Sequence, residues 1–206
     1  METTVHDKDA SAHIDYPPLT IRLRPVLDLT DDQLLELSQL NRDLRFERTA
    51  KGELIVMPPT GGETGERNAE ITIQLGLWAK RDGTGTTFDS STGFRLPNGS
   101  VRSPDASWVK QSRLATLSVE QRKRFLPLCP DFVIELRSET DSLSSLQAKM
   151  QEYLDNGAQL AWLIDPIQRR VYVYSPQAPV RELENPETIS GEPVLPGFVL
   201  DLREVW

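Results

Sequence analysis

The sequence predicts an α/β (α+β) fold in which helices flank a mixed β-sheet. The continuous apolar run 132–136 is typical of a central strand that is covered on both faces. A helical pattern and a second apolar run follow it, and this strand-helix-strand order implies a right-handed parallel crossover. Short strands separated by turns, between residues 86 and 105, predict an antiparallel meander.

The length and charge of the chain limit its class. It has 206 residues, with 31 acidic against 23 basic side chains and a formal charge of -8. This predicts one globular domain over residues 25–206, after an N-terminal tail of residues 1–24 that is expected to be flexible because it lacks apolar periodicity. No apolar run of about 18 residues and no signal-like N-terminus occurs, so we expect a soluble, cytoplasmic protein with no membrane partner. The negative charge argues against a passive coat on nucleic acid but allows an acidic enzyme with a locally basic groove.

Two helices are predicted in the first half of the chain. Thr30 and Gln33 have capping-box spacing and begin a short helix that ends near Asn41. A helix over 63–80 carries an apolar stripe at helical spacing, formed by Ile71, Leu75 and Trp78. The strands predicted around these helices are 52–57, 86–88, 93–96, and a short strand from Val101 to Asp105 after an Asn98-Gly99 hairpin signal.

The second half contains the central strand and its crossover helix. Residues 142–156 have an inward apolar stripe, and Gly157 is placed as the C-terminal stop of this helix. The remaining elements are a basic helical excursion at 118–125, the central strand 132–136, and strands at 160–164 and 171–174.

The few cysteine and histidine residues exclude several kinds of chemistry. Cys129 is the one cysteine, which excludes an intrachain disulfide and a thiolate-caged zinc site. Both histidines, His6 and His13, lie in the predicted tail, so the body offers no imidazole for a catalytic triad. Chemistry in the body must therefore use carboxylates, Lys, Arg, Ser or Tyr, and carboxylates favour a hard cation such as Mg²⁺.

Among the candidate acids of the body, spacing favours one pair as metal ligands. Asp131 and Glu135 lie four residues apart on one strand, about 13 Å between Cα atoms, too far to share one cation, so Asp131 is expected to be structural. Asp105 lies on a separate strand, 30 positions before Glu135. Neighbouring strands lie about 4.8 Å apart, so Asp105 and Glu135 could bind one Mg²⁺ ion together.

The neighbouring charged side chains leave alternatives open. Glu135 lies in an apolar strand, where its charge must be balanced by a metal ion or by an ion pair with Arg137 or Lys149. Arg137 shares a strand face with Glu135 and could hold a phosphate. Lys149 is either catalytic or a snorkelling lysine whose stem covers apolar surface. Glu70 is either a ligand from the second helix or part of a solvated acidic face.

Five segments resemble the cyanobacteria-rich putative restriction endonuclease family, formerly a domain of unknown function, of the PD-(D/E)xK nuclease superfamily. The resemblance extends from about Leu29 to Trp206, and it implies a restriction-endonuclease-like mixed sheet flanked by helices. Its segments are Gly52 to Pro59, Ser103 to Trp108, Pro130 to Ser138, Lys149 to Tyr153 and Trp162 to Pro166.

The resemblance also implies roles for the candidate residues. Asp105 matches the acid of the PD motif, Glu135 the acid of the (D/E)xK motif, and Glu70 the helix acid of many members. Arg137 stands where the usual lysine is found, and Lys149 matches a lysine that has migrated to the following helix. Arg137 is a departure that matters, because Arg cannot act as a base at neutral pH.

Two hypotheses about function follow. The first is a DNA endonuclease that depends on Mg²⁺ or Mn²⁺ and hydrolyses phosphodiester bonds. In this hypothesis Asp105 and Glu135 bind the metal, Lys149 positions water or phosphate, and Glu70 assists. The second is a catalytically inactive nuclease-fold module with an assembly or regulatory role. The expected partners are DNA and a second copy of the chain in a homodimer, to which the C-terminal Trp206 could contribute if it does not pack on the body.

Overall fold

The structure is a computed structural model that describes residues 17–206. His6, His13 and the other residues of the predicted tail before residue 17 lie outside the described part. In chain order the strands are β1 (Leu19–Ile21), β2 (Arg45–Arg48), β3 (Leu54–Met57), β4 (Gly85–Asp89), β5 (Phe94–Arg95), β6 (Val101–Arg102), β7 (Ala106–Lys110), β8 (Phe132–Leu136), β9 (Leu160–Asp165), β10 (Arg170–Tyr174), β11 (Arg181–Glu184), β12 (Thr188–Ser190) and β13 (Val199–Asp201). The helices are α1 (Asp31–Leu40), α2 (Gly62–Asp82), α3 (Gln111–Leu114), α4 (Val119–Arg122) and α5 (Leu143–Asp155).

The main sheet has six strands in the order β11-β10-β9-β8-β7-β4. Strand β8 lies inside it, and all five residues of β8 are buried, as its apolar run predicts. β8 pairs with β9 in parallel, whereas the other neighbours in this sheet are antiparallel. The predicted mixed sheet is therefore confirmed, with α5 as the connection between its two parallel strands.

Each face of the main sheet has its own apolar core. On one face, Trp78 of α2 packs against Trp108 of β7 and against Phe198 near the C-terminus. On the other face, α5 buries Met150 and Tyr153. The C-terminus belongs to the first core, because Trp206 packs against it and donates its indole N–H to the carbonyl oxygen of Pro186 at 2.9 Å.

A second sheet of five strands has the order β1-β3-β2-β6-β5 and packs with α1 around a smaller core. The predicted meander is wrong in its pairing. The Asn98-Gly99 turn joins β5 and β6 as expected, but this hairpin pairs with β2 in the second sheet, while β4 pairs directly with β7 in the main sheet. Strand spacing predicts that strands form, but partner choice depends on packing between distant segments.

The N-terminal boundary is also corrected. Leu19–Ile21, inside the range 1–24 assigned to a tail, forms β1 and pairs antiparallel with β3.

The two helices predicted in the first half of the chain are confirmed. Thr30 and Gln33 make the reciprocal hydrogen bonds of a capping box at α1, and Gly83 ends α2 in a left-handed conformation with φ of 73°. Within residues 17–206, no helix combines the length and apolar character needed to cross a membrane.

Candidate active site

Asp105 and Glu135 lie opposite each other on two neighbouring strands of the main sheet. β7 and β8 are antiparallel, with Ala106 opposite Ile134, so one further step places Asp105 opposite Glu135. A hydrogen bond holds Asp105 beside Glu135, because Asp105 Oδ2 accepts from the backbone N–H of Leu136 at 2.8 Å. Strand alternation directs both carboxylates to the face covered by α5. The structure thus brings together the two acids that the sequence selects.

Glu135 is held by two donors from α5. Lys149 and Tyr153 lie one helical turn apart, and the Lys149 ammonium and the Tyr153 hydroxyl both donate to Glu135 Oε1 at 2.8 Å. Since both donors use Oε1, Oε2 of this buried carboxylate has no hydrogen-bond partner among the described residues. One oxygen of Glu135 is therefore anchored, and the other is available for a ligand.

The position of Lys149 excludes one of its alternatives, the snorkelling lysine, and shows the ion pair with Glu135. Its Nζ lies 2.8 Å from Glu135 and 2.9 Å from Glu47 Oε1, between two carboxylates rather than extended to solvent. Burial lowers the pKa of Lys149, but attraction to Glu135 and Glu47 outweighs this effect and raises the pKa above its ordinary value. Lys149 is therefore a fixed positive charge at neutral pH and not a proton acceptor.

Sequence reasoning missed Glu47. This residue of β2 is buried, with 2% of its surface exposed, and it also accepts hydrogen bonds from Arg102 of β6 at 3.0 Å and from the backbone N–H of Ser103 at 2.9 Å. A carboxylate inside a buried strand needs a metal ion or an ion pair to balance its charge, and this argument selected Glu135 from the sequence. At Glu47 the signal was hidden because charged residues at 45 and 48 surround it, so no apolar run identifies a buried strand.

The two carboxylates on Lys149 have opposite pKa shifts. Burial raises the pKa of Glu135 to about 7. Attraction to Lys149 acts in the opposite direction, and repulsion from Asp105 and Glu47 offsets part of that attraction. Burial also acts to raise the pKa of Glu47, but attraction to Lys149 and Arg102 lowers it to about 2. Burial raises the pKa of Asp105 as well, against the attraction of Arg45. Glu47 is thus a permanent anion, whereas Asp105 and Glu135 form a pair of acids that a further cation would stabilise.

A cavity of about 520 Å³ opens onto this pair of acids. Four basic residues line it, namely Arg45, Arg67, Arg137 and Lys149. Asn68 of α2 also lines it, and its amide oxygen is buried without a hydrogen-bond partner, while its amide nitrogen lies 3.4 Å from Asp105 Oδ1.

The donor atoms of the cavity suit a hard cation. Two buried carboxylates and an unpartnered amide oxygen are the ligand types that Mg²⁺ prefers in proteins. A denser acidic cluster is absent: in residues 17–206, no group of three or more His, Cys, Asp or Glu side chains is arranged to hold a metal ion.

Two of the predicted site residues have other partners. Arg137 lines the cavity, but its guanidinium donates to the fully buried Asp165 at 2.7 Å. Glu70 accepts from Gln74, which itself binds the backbone of Asp201, and Glu70 does not line the cavity. Asp131 has the structural role expected of it, because it accepts from the backbone N–H of Lys110 at 2.9 Å and pairs with Arg113 at 3.1 Å.

Comparisons with known proteins identify related sequences and a related fold. The model of the Uma2 family, described as "Putative restriction endonuclease", matches residues 31–203. Among solved structures, the chain is similar to a protein from Anabaena variabilis described as "a putative nuclease belonging to DUF820", with a TM-score of 0.67 and 21% sequence identity. The similarity covers 78% of this chain and 88% of that chain, which shows a shared fold. No curated protein matches the chain significantly.

Proposed function

Because the chain belongs to the Uma2 family, we propose that it is a metal-dependent DNA endonuclease that hydrolyses phosphodiester bonds. The observation that carries the proposal is the placement of Asp105 opposite Glu135 at a cavity, with the Lys149 ammonium 2.8 Å from Glu135. Two buried acids and a fixed cation form the arrangement expected for phosphoryl transfer to water.

Asp105 and Glu135 are the residues that would hold Mg²⁺ or Mn²⁺. Each has an oxygen free of strong bonds: Glu135 Oε2 has no described partner, and Asp105 Oδ1 has only Asn68 at 3.4 Å and Arg45 at 3.7 Å. The chemistry supplied by the cation is Lewis-acid activation of the phosphate and of the attacking water. Glu70 does not line the cavity and would not hold the cation.

Lys149 would stabilise negative charge on the phosphate. Its ammonium is held between two carboxylates and keeps its proton at neutral pH, so it acts as an electrostatic and hydrogen-bonding group. Arg137 would act less directly, because its pair with Asp165 fixes the segment after β8 at the cavity edge. The cavity is lined by four basic and five acidic side chains, so it is not a basic surface as a whole, and a bound divalent cation would supply part of the positive charge that a DNA backbone needs.

A second candidate function is a catalytically inactive nuclease-fold module with an assembly or regulatory role. The observation that favours it is that Lys149 already neutralises Glu135, so the site has an internal ion pair without a metal ion. Homodimer formation stays a prediction under either function.

Cleavage of supercoiled plasmid with Mg²⁺ or Mn²⁺ tests the proposal. The wild-type protein should nick or linearise the plasmid, and Glu135→Gln should lose about 100-fold of the rate, since the negative charge of a metal ligand is removed. Isothermal calorimetry of Mn²⁺ binding gives an independent readout. A wild-type protein that neither cleaves nor binds Mn²⁺ would establish the inactive module instead.

A further inference from the structure

We infer that Glu47 is a positioning residue that keeps the Lys149 ammonium in place when a divalent cation binds to Asp105 and Glu135. This inference rests on the proposed function and adds a residue from the second sheet to its machinery. Glu47 does not line the cavity that opens onto the two acids, so it would act through Lys149 and not on the substrate.

The contacts of Glu47 fix its carboxylate from three sides. Its Oε1 accepts from Lys149 Nζ and from the backbone N–H of Ser103, each at 2.9 Å, and its Oε2 accepts from Arg102 at 3.0 Å. Arg102 is fixed in turn by Glu152, which lies on the same helix as Lys149 and binds the guanidinium at 2.6 Å. Glu47 is therefore a well-held anion, and two of its three donors, Ser103 N–H and Arg102, remain when Lys149 is disregarded.

A lysine beside a divalent cation needs a second counter-charge. Without the cation, Glu135 alone could hold the ammonium through Oε1. Once Glu135 shares its charge with a divalent cation, that cation repels the neighbouring ammonium, and the attraction from Glu135 no longer compensates. Glu47 supplies a full negative charge 2.9 Å from Lys149 and does not line the cavity where the cation would bind, so the ammonium can stay in place.

The location of Glu47 gives the second sheet a role in the site. β2 carries Glu47, β6 carries Arg102, and both strands belong to the second sheet, while Glu135 belongs to the main sheet. Lys149 on α5 bridges the two sheets through its two carboxylates. The second sheet thus orients the lysine of a site whose metal ligands lie on the main sheet.

The experiment compares Glu47→Gln with Glu53→Gln by acylation footprinting. Both residues lie in or next to strands of the second sheet, but Glu53 contacts Arg22 and Thr49 and not Lys149. The full chain is treated with acetic anhydride, with and without Mn²⁺, and mass spectrometry compares acylation of Lys149 with that of the exposed Lys51 and Lys110. This readout requires no nuclease activity.

In the wild type and in Glu53→Gln, Lys149 should remain protected with and without Mn²⁺. In Glu47→Gln it should become about 10-fold more reactive, and mainly in the presence of Mn²⁺, because only then does Glu135 fail to hold it. Equal protection of Lys149 in Glu47→Gln with Mn²⁺ present would overturn the inference. Glu47→Asp keeps the negative charge but has a shorter side chain, so Lys149 should show an intermediate reactivity in this variant. Glu47→Asp replaces Glu47→Gln in the experiment if Glu47→Gln does not fold.

Kinetics then show whether Glu47 acts through Lys149. Glu47→Gln should lower kcat about 10- to 100-fold with little change in KM. In a Lys149→Met background, the same substitution should have no further effect on kcat, and an additive loss would contradict a positioning role. If the wild-type protein cleaves no DNA, the proposed function fails, whereas the footprint reports separately on whether Glu47 holds Lys149.

Discussion

Replacing Glu47 with Gln should destabilise the protein by an amount that depends on pH. The substitution keeps the shape of the side chain and removes its charge, and each cation keeps one carboxylate, since Lys149 still contacts Glu135 and Arg102 still contacts Glu152. The pKa of Glu47 falls from 4.5 to about 2 on folding. At 1.36 kcal/mol per pKa unit, ionised Glu47 stabilises the folded state by about 3 kcal/mol at pH 7.

The sign follows from the lowered pKa of Glu47. Its contribution is fully present above the unfolded pKa of 4.5 and is lost as the pH falls through the folded pKa of about 2. The difference between wild type and Glu47→Gln should therefore be about 3 kcal/mol at pH 7 and about half of that at pH 3. Urea unfolding followed by tryptophan fluorescence at both pH values measures this difference.

Glu53→Gln is the matched control for this measurement. The ion pair of Glu53 with the exposed Arg22 is long, at 3.6 Å, so its loss should cost less than about 1 kcal/mol at either pH. A Glu47→Gln difference that stays constant between pH 7 and pH 3 would refute the reasoning, because a shape or packing effect does not titrate.

Two further predictions concern the other buried charges of the site. The pKa of Glu135 is raised from 4.5 to about 7, so the stability of the wild type relative to Glu135→Gln should be greatest below pH 4.5 and should fall by about 3 kcal/mol as the pH rises through 7. Urea unfolding of both proteins at pH 5 and pH 8 measures this stability difference. A difference that is independent of pH would contradict the raised pKa. Arg137→Met should destabilise the protein by about 3 kcal/mol in thermal or urea unfolding, because the fully buried Asp165 loses its cation. Arg170→Met, which breaks exposed pairs with Glu182 and Glu184, should cost less than about 1 kcal/mol, and an equal loss in the two variants would show that burial of Asp165 is not the cause.

Local sequence patterns predicted much of the main sheet. The apolar run of β8, the helical stripe of α2 and the stop at Gly157 are all encoded within a few residues, and the structure confirms each of them. The opposition of Asp105 and Glu135 was also predicted, although the expected meander is absent between their strands: the short helices α3 and α4 connect β7 to β8.

The second sheet was not predictable in the same way. The strands β5 and β6 have two residues each, and three of the four residues of β2 are charged, so their patterns carry little information about partners. Their pairing is decided by burial of Phe46, Leu54 and Val101 together with Leu34 of α1, which lie far apart in sequence.

The sequence by itself determined the available chemistry and the strands that present it. With both histidines near the N-terminus, the body had to use carboxylates and Lys or Arg, and the strand patterns placed Asp105 and Glu135 at one edge of the site. Only the tertiary structure decided which charges meet there. Glu47 and Lys149 are 102 residues apart, and the folded chain must desolvate both before their attraction becomes strong, so no local pattern records the pair.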